Sequence, residues 1–135
     1  MNATLITPGA WTDMASRTEI NYSPRELQMA STRWLKNILN LDHEWKVLNT
    51  IGTVQSPRWQ DNAVKGNLYI NTVTSAGKDT VALIDAGLVN ALSVELQSLD
   101  VRESETNKLF ASDIDFIGCA VIYGDMGACP DSRIR

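Results

Sequence analysis

Histidine occurs once, at position 43, cysteine twice, at 119 and 129, and proline four times in 135 residues. One imidazole excludes a metal centre built on several histidines and any two-histidine acid–base scheme, so a nucleophile–histidine triad would have to use His43. Two cysteines do not make the disulfide framework of a small secreted domain, and both are read as reduced. Cys119, inside an apolar run, reads as a small buried hydrophobe, and Cys129, just before Pro130, as a thiol nearer the surface. No run of about 20 apolar residues is present to cross a bilayer. Residues 1–10 carry neither a basic cluster nor an apolar leader segment. An excess of basic residues is also missing: the net charge is −4, which disfavours a nucleic-acid partner because phosphate binding needs clustered Lys and Arg. These absences lead to the expectation of a cytoplasmic protein, in the host cytoplasm or the virion if the chain is viral, with no membrane partner.

The composition, 44% hydrophobic and 21% charged, is that of an ordered globular chain, and 135 residues suit a single domain over 1–135. Charge is uneven along it. Residues 1–66 hold seven Lys/Arg against six Asp/Glu, and residues 67–135 hold five against ten, so the acidity belongs to the second half.

Residues 1–22 are rich in Thr, Asn, Ser and Gly, with a Pro8-Gly9 turn signal, and the hydrophobes Leu5, Ile6, Trp11 and Met14 keep no period. They read as an extended arm. At Ser23-Pro24-Arg25-Glu26 a capping hydroxyl, a proline at the first helical position and a glutamate three residues after the cap coincide. Leu27, Ala30, Trp34 and Ile38 then recur at helical steps toward Asn40, and Trp45, Leu48 and Ile51 suit a second short helix capped by Asp42, although Trp45, Val47 and Asn49 would also alternate on a strand. Residues 23–52 are thus the helical part. Residues 67–135 read as strand-rich: Leu68 to Val73 and Thr80 to Ile84 as a hairpin about Ser75-Ala76-Gly77-Lys78, Leu92, Val94 and Leu96 as a half-buried strand with Ser93, Glu95 and Gln97 on its wet face, and Phe116 to Tyr123 as a strand buried on both sides, with a helical turn over 106–111. The fold class expected is α+β, an N-terminal arm and one or two helices packed on a mainly antiparallel β-sheet.

Motifs that would name a reaction are sparse. There is no P-loop, dinucleotide fingerprint or nucleophile elbow, and Gly124-Asp125-Met126-Gly127 is too short and acidic to cradle phosphate, so no cofactor is expected. Asp113 and Asp115 share a face of an extended segment, with Asp125 and Asp131 near in sequence, but the spacing fits no calcium loop and reads as a solvated strand edge. No metal is expected. Val81 to Gly87 resembles the aspartate-bearing motif of trimeric dUTP pyrophosphatases, but Leu88 stands where that family carries an aromatic residue, and Asp85 is read as ending a strand. His43, in Asp42-His43-Glu44, reads as a polar residue at a helix start. No residue is assigned a catalytic role.

All four tryptophans lie in the first 60 residues. Trp34 and Trp45 suit a core against the sheet, whereas Trp11 and Trp59, flanked by polar and turn residues, suit an interface. Trp11 and Trp59 are the candidate interface residues, and Trp45 and Tyr69 the candidates to line a ligand pocket.

The closing segment, Leu109-Phe110-Ala111-Ser112-Asp113 through Val121-Ile122-Tyr123-Gly124-Asp125 to Pro130, resembles the end of some tailed-bacteriophage virion proteins over about a quarter of the chain. That resemblance implies a capsid-associated, cement or head–tail accessory protein that self-associates. The expected function is accordingly a non-enzymatic structural or interaction role, with a second copy or another structural protein as partner. One alternative is a small-molecule binding or inhibitory module with a pocket between helices and sheet lined by Trp45 and Tyr69. A second is a hydrolase or isomerase using Asp85, Asp113 or His43.

Overall fold

The computed structural model describes residues 1–13, 16–124 and 127–135, so Met14 and Asp125 lie outside the described residues. In chain order its elements are β1 (Asn2–Ile6), β2 (Gly9–Thr12), β3 (Glu19–Tyr22), α1 (Pro24–Ala30), β4 (Ile38–Leu41), a 3₁₀ turn (Val47–Asn49), β5 (Thr50–Gln60), β6 (Ala63–Ile70), α2 (Ser75–Asp85), β7 (Ala91–Arg102), β8 (Leu109–Ile122) and β9 (Arg133–Ile134). Seven strands hydrogen-bond in the order β8-β4-β5-β6-β1-β9-β7, and β7 pairs back onto β8 to close a barrel. The closing contact is short, since β7 meets β9 only at Ala91 and Arg133. The β2–β3 hairpin is an annex, joined by the parallel pairing of Ile20 and Asn21 with Leu109 and Phe110.

The architecture corrects the expected fold class. It is a closed, mixed, mostly β barrel with two short helices, not helices packed on an antiparallel sheet. The segment expected as an arm supplies three strands, because Ala3, Leu5 and Ile6 of β1 fill the core between β6 and β9.

The helical part shrinks for two reasons. Helix α1 begins where the start signals coincide, with Ser23 Oγ accepting from the Glu26 amide at 3.2 Å. It stops after Leu27 and Ala30 are buried, and Trp34, the next apolar residue of the helical series, stacks on Phe116 of β8 at 4.7 Å and 18° instead of extending a helix face. Asp42 and His43 then both take left-handed backbone angles (φ +54 and +59), which a helix cannot hold, so only the 3₁₀ turn forms before β5.

The expected hairpin over 68–84 fails at its turn. Thr74 Oγ1 accepts from the Gly77 amide at 3.2 Å and caps α2, which runs through Ser75-Ala76-Gly77-Lys78. Gly77 reflects close approach, since a Cβ there would come 1.9 Å from the Asn71 carbonyl oxygen. The helical turn expected over 106–111 is likewise absent, because β8 already begins at Leu109.

The core inside the barrel is formed by Leu5, Leu39, Ile51, Val54, Val64, Leu92, Ile114, Phe116 and Cys119, all essentially without solvent contact. Cys119 and Cys129 are both free thiols. Burial, followed by the negative charge of Glu95, pushes the Cys119 thiol up to about 12, so it remains protonated at neutral pH. Phe116 carries the largest fully buried side chain and half of the aromatic stack. Phe116→Ala is expected to lower stability by about 3–5 kcal/mol, read as an earlier urea midpoint at unchanged slope.

Candidate functional site

Three neighbouring strands bring together residues far apart in sequence. Leu39, Asn40 and Leu41 of β4 run parallel to Cys119, Ala120 and Val121 of β8, and on the other side of β8 Ser93, Val94 and Glu95 of β7 pair with Ala120, Cys119 and Gly118. Asn40 and Ser93 therefore flank the same residue, Ala120. Because strand side chains alternate, Glu95, two positions after Ser93, lies on the same face. That face is opposite the one carrying Leu39, Leu92 and Cys119 into the core.

Gly118 opens the space that lets Glu95 reach across β8. A Cβ at Gly118 (φ +154) would lie 3.0 Å from the Ile38 carbonyl oxygen and 3.7 Å from Glu95 Oε1. Across this gap Asn40 Nδ2 donates to Glu95 Oε1 at 2.7 Å. Asn40 is itself buried, and its Oδ1 has no hydrogen-bond partner among the described residues. Leaving such an acceptor unmet costs about 1–3 kcal/mol, a penalty retained where the donor end of the amide has a task. Next to Gly118, Ile117 is the extra residue of a bulge, since Glu95 pairs with Gly118 but Leu96 with Phe116. Bulges re-aim side chains at the edges of sites.

His43 reaches the same carboxylate from the turn after β4. The Asp42 amide donates to the Val121 carbonyl at 3.0 Å, which holds the turn on β8, and the left-handed backbone at His43 carries a strain of order 1–3 kcal/mol of the kind found at functional positions. Its Nδ1 stands 3.4 Å from Glu95 Oε1, with the histidine side chain 41% exposed and the glutamate 9%. Burial alone would raise the Glu95 carboxyl. Hydrogen bonds from His43 and Asn40, the charge of the imidazolium and a further hydrogen bond from Trp45 outweigh it, so the group lies below the usual carboxylate range. It is an anion at neutral pH.

Ser93, His43 and Glu95 line one cleft of about 550 Å³, walled also by Trp11, Ile20 and Tyr22 of the β2–β3 annex and by Ala128 and Cys129 after β8. A hydroxyl, an imidazole and a carboxylate bound to that imidazole are the parts of a nucleophilic hydrolase. The barrel carrying them has a solved counterpart. Its fold matches that of the bacteriophage T4 capsid assembly protease, gp21, with a TM-score of 0.64 over 92% of this chain and 96% of that one, at 12% sequence identity. At that identity the likeness is one of fold. No protein-family model matches the sequence, and no curated protein matches it.

The residues singled out from sequence are dispersed by the barrel. Trp11 lines the cleft and donates its indole N–H to the Thr7 carbonyl at 2.8 Å. Trp45 is half exposed on the turn after His43, with Lys36 Nζ 5.6 Å from its ring centroid. Trp59 lies elsewhere, half-buried opposite Val64, and Tyr69 is exposed on β6 opposite Thr53. Trp45 and Tyr69 thus do not line a shared pocket between helices and sheet. Of the candidate hydrolase residues only His43 is in the cleft: Asp85 ends α2 in solvent and Asp113 is exposed on β8. Asp115 pairs with Arg33 Nε at 3.3 Å, and Asp131 accepts from the Thr7 hydroxyl at 2.9 Å. Among the described residues no group of three metal-ligating side chains forms, and no helix is long and apolar enough to cross a membrane.

Ser93 and Glu95 are absent from the sequence-based candidates. Their signal was the polar half of the Leu92, Val94, Leu96 alternation, which reads as a strand's wet side until β4 is known to lie two strands away.

Proposed function

We propose that this chain is a serine endopeptidase in which Ser93 is the nucleophile, His43 the general base and Glu95 the carboxylate that orients and charge-stabilises the imidazole. The observation carrying the reading is the 3.4 Å approach of Glu95 to His43 Nδ1 on the wall that also bears Ser93. With Nδ1 committed to Glu95, Nε2 is the nitrogen that takes the proton from Ser93 Oγ as Oγ bonds the carbonyl carbon of a peptide. The proton passes to the leaving amine as the C–N bond breaks. Water, deprotonated by the same nitrogen, then cleaves the acyl ester to a free carboxylate and restores the Ser93 hydroxyl. Glu95 stays ionised throughout and lowers the energy of the imidazolium.

This reading departs from the non-enzymatic role favoured by the sequence. It keeps His43 from the hydrolase alternative and replaces Asp85 and Asp113 with Ser93 and Glu95. The name of the T4 protein, a capsid assembly protease, supports both the chemistry and a setting in viral head assembly, in line with the phage-like segment 109–130.

The test is covalent. An alkyl fluorophosphonate forms a bond from phosphorus to the activated serine oxygen, expels fluoride and passes the serine proton to the base. Intact-mass and peptide mass spectrometry are expected to place one adduct on Ser93 and none on a folded His43→Ala variant. An unlabelled, folded native chain, or a label distributed over other serines, would overturn the reading.

A further inference from the structure

One lane of the barrel is only half filled. In the strand order β1-β9-β7 the middle strand is two residues long, and it pairs with β7 at Ala91 and Arg133 alone. The Leu92 amide still donates to the Ser132 carbonyl at 3.0 Å. The turn in which Ser132 N–H donates to the Cys129 carbonyl at 3.1 Å then ends the lane, and among the described residues no strand pairs with this edge of β7 beyond Leu92. Backbone groups alternate between the two edges of a strand. The N–H and C=O of Val94 and Leu96 therefore point the same way as the Leu92 amide, into the open lane, while those of Ser93 and Glu95 face β8. Strands commonly guard such an edge with lysine or proline, and Leu92 to Asp100 contains neither. The cleft follows this edge. Successive residues of both parities line it, Ser93 and Glu95 as well as Val94 and Leu96, which a pocket on one face of a strand would not show. Ile6 of β1 and Trp11 of the annex line it too, the indole held by its bond to the Thr7 carbonyl. Val94 and Leu96 pack against the core, so the unpaired edge is held in place before anything binds.

We propose that the occupant of this lane is an extended segment of the peptide substrate, added as a strand antiparallel to the Val94–Leu96 edge of β7. The inference rests on the serine endopeptidase reading of Ser93. Main-chain hydrogen bonds to Val94 and Leu96 supply affinity, and the two-residue alternation of the added strand supplies specificity. Every second side chain turns to the apolar side, toward Ile6, Trp11 and Leu96, and those between turn to the side of Ser93 and Glu95. The antiparallel sense is that of β9, which lies in the same lane. A peptide in that sense runs toward Ser93, and because the Cys129–Ser132 turn blocks the lane at Leu92, it leaves beside the Ser93 hydroxyl. The residues held along β7 are thus those N-terminal to the cut bond, the part that stays on the chain as the acyl group. The preference is for apolar residues at alternate positions of that part.

The test is a backbone-methylation scan, read on the Ser93→Ala chain so that cutting does not intervene. The probe is fluorescein-labelled (Leu-Ser)4 amide, followed by anisotropy. In an antiparallel pair the residue opposite Val94 bonds through its own N–H and shares its face. N-methylation of two leucine amides is therefore expected to weaken binding about tenfold or more, and N-methylation of two serine amides to change it little. No binding at millimolar peptide, equal weakening by both sets, or the opposite order would sink the antiparallel strand. A second measurement needs no peptide. Amide hydrogen exchange in the native chain, followed by NMR, should be at least about tenfold faster at Val94 and Leu96 than at Ser93 and Glu95. Equal protection would mean that the edge is already paired, and the proposal would fall. Neither readout uses the chemistry. Loss of fluorophosphonate labelling at Ser93 with the methylation pattern intact removes the hydrolytic reading and keeps the peptide-binding edge, whereas labelling without the pattern keeps the nucleophile and removes the added strand.

Discussion

Ser93→Ala is expected to lower kcat for peptide hydrolysis by about 10⁴–10⁶-fold, with the urea midpoint unchanged within about 0.5 kcal/mol. The size follows from what is lost. Without Oγ no acyl-enzyme forms, and the remaining acceleration comes only from holding the peptide in the groove. Fold should be retained because Ser93 is half-buried on the outer face of β7, whereas the core positions beside it are Leu92 and Val94. His43→Ala is expected to fall nearly as far. The combined variant should lose little more than either alone, because the two side chains perform one step and their effects do not add. Additive losses, or full activity in Ser93→Ala, would remove Ser93 from the chemistry. Residual substrate affinity, measured by anisotropy with an uncleaved peptide, should persist in both variants.

What the sequence made legible was local. The start of α1 was readable because Ser23, Pro24 and Glu26 act through neighbouring backbone, and the strand at Leu92 to Leu96 was readable because alternation repeats every two residues. The misreadings share a cause: the deciding contact was distant in sequence. Trp34 fits a helical series until Phe116, 82 positions on, offers it a stacking partner. Gly77 looks like a turn residue until the Asn71 carbonyl packs against it. The site repeats the pattern at larger scale. His43 and Glu95 are 52 positions apart, and only the parallel pairing of β4 with β8, a non-local crossover, puts them on one carboxylate–imidazole contact. The lone histidine was therefore recognisable as the obligatory base of any triad, but its partners were not, because Ser and Glu on a strand's polar face are ordinary residues for solvent contact.

Glu95→Gln tests the link between the two halves of that contact, and it carries the second large effect. The amide keeps the shape and still offers an oxygen to Asn40, but it has no charge to hold against an imidazolium. A fall in kcat of roughly 10³–10⁴-fold is expected, with KM little changed. Stability should report the same group through pH. In the folded chain the Glu95 carboxyl lies below its ordinary 4.5, so the native state binds its proton less readily than the unfolded state does. The stabilisation this confers is fully present above about that ordinary value and is lost as pH falls through the lower, folded value. The native chain should therefore exceed Glu95→Gln in stability by a margin that shrinks on acidification below about 4.5. Asn40→Ala, which removes one of the donors holding the carboxylate down, should narrow that pH-dependent margin while leaving Ser93 in place, and activity should drop with it. A margin that does not change with pH would mean that the carboxylate is not stabilised by His43 and Asn40, and the orienting role assigned to Glu95 would fall with it.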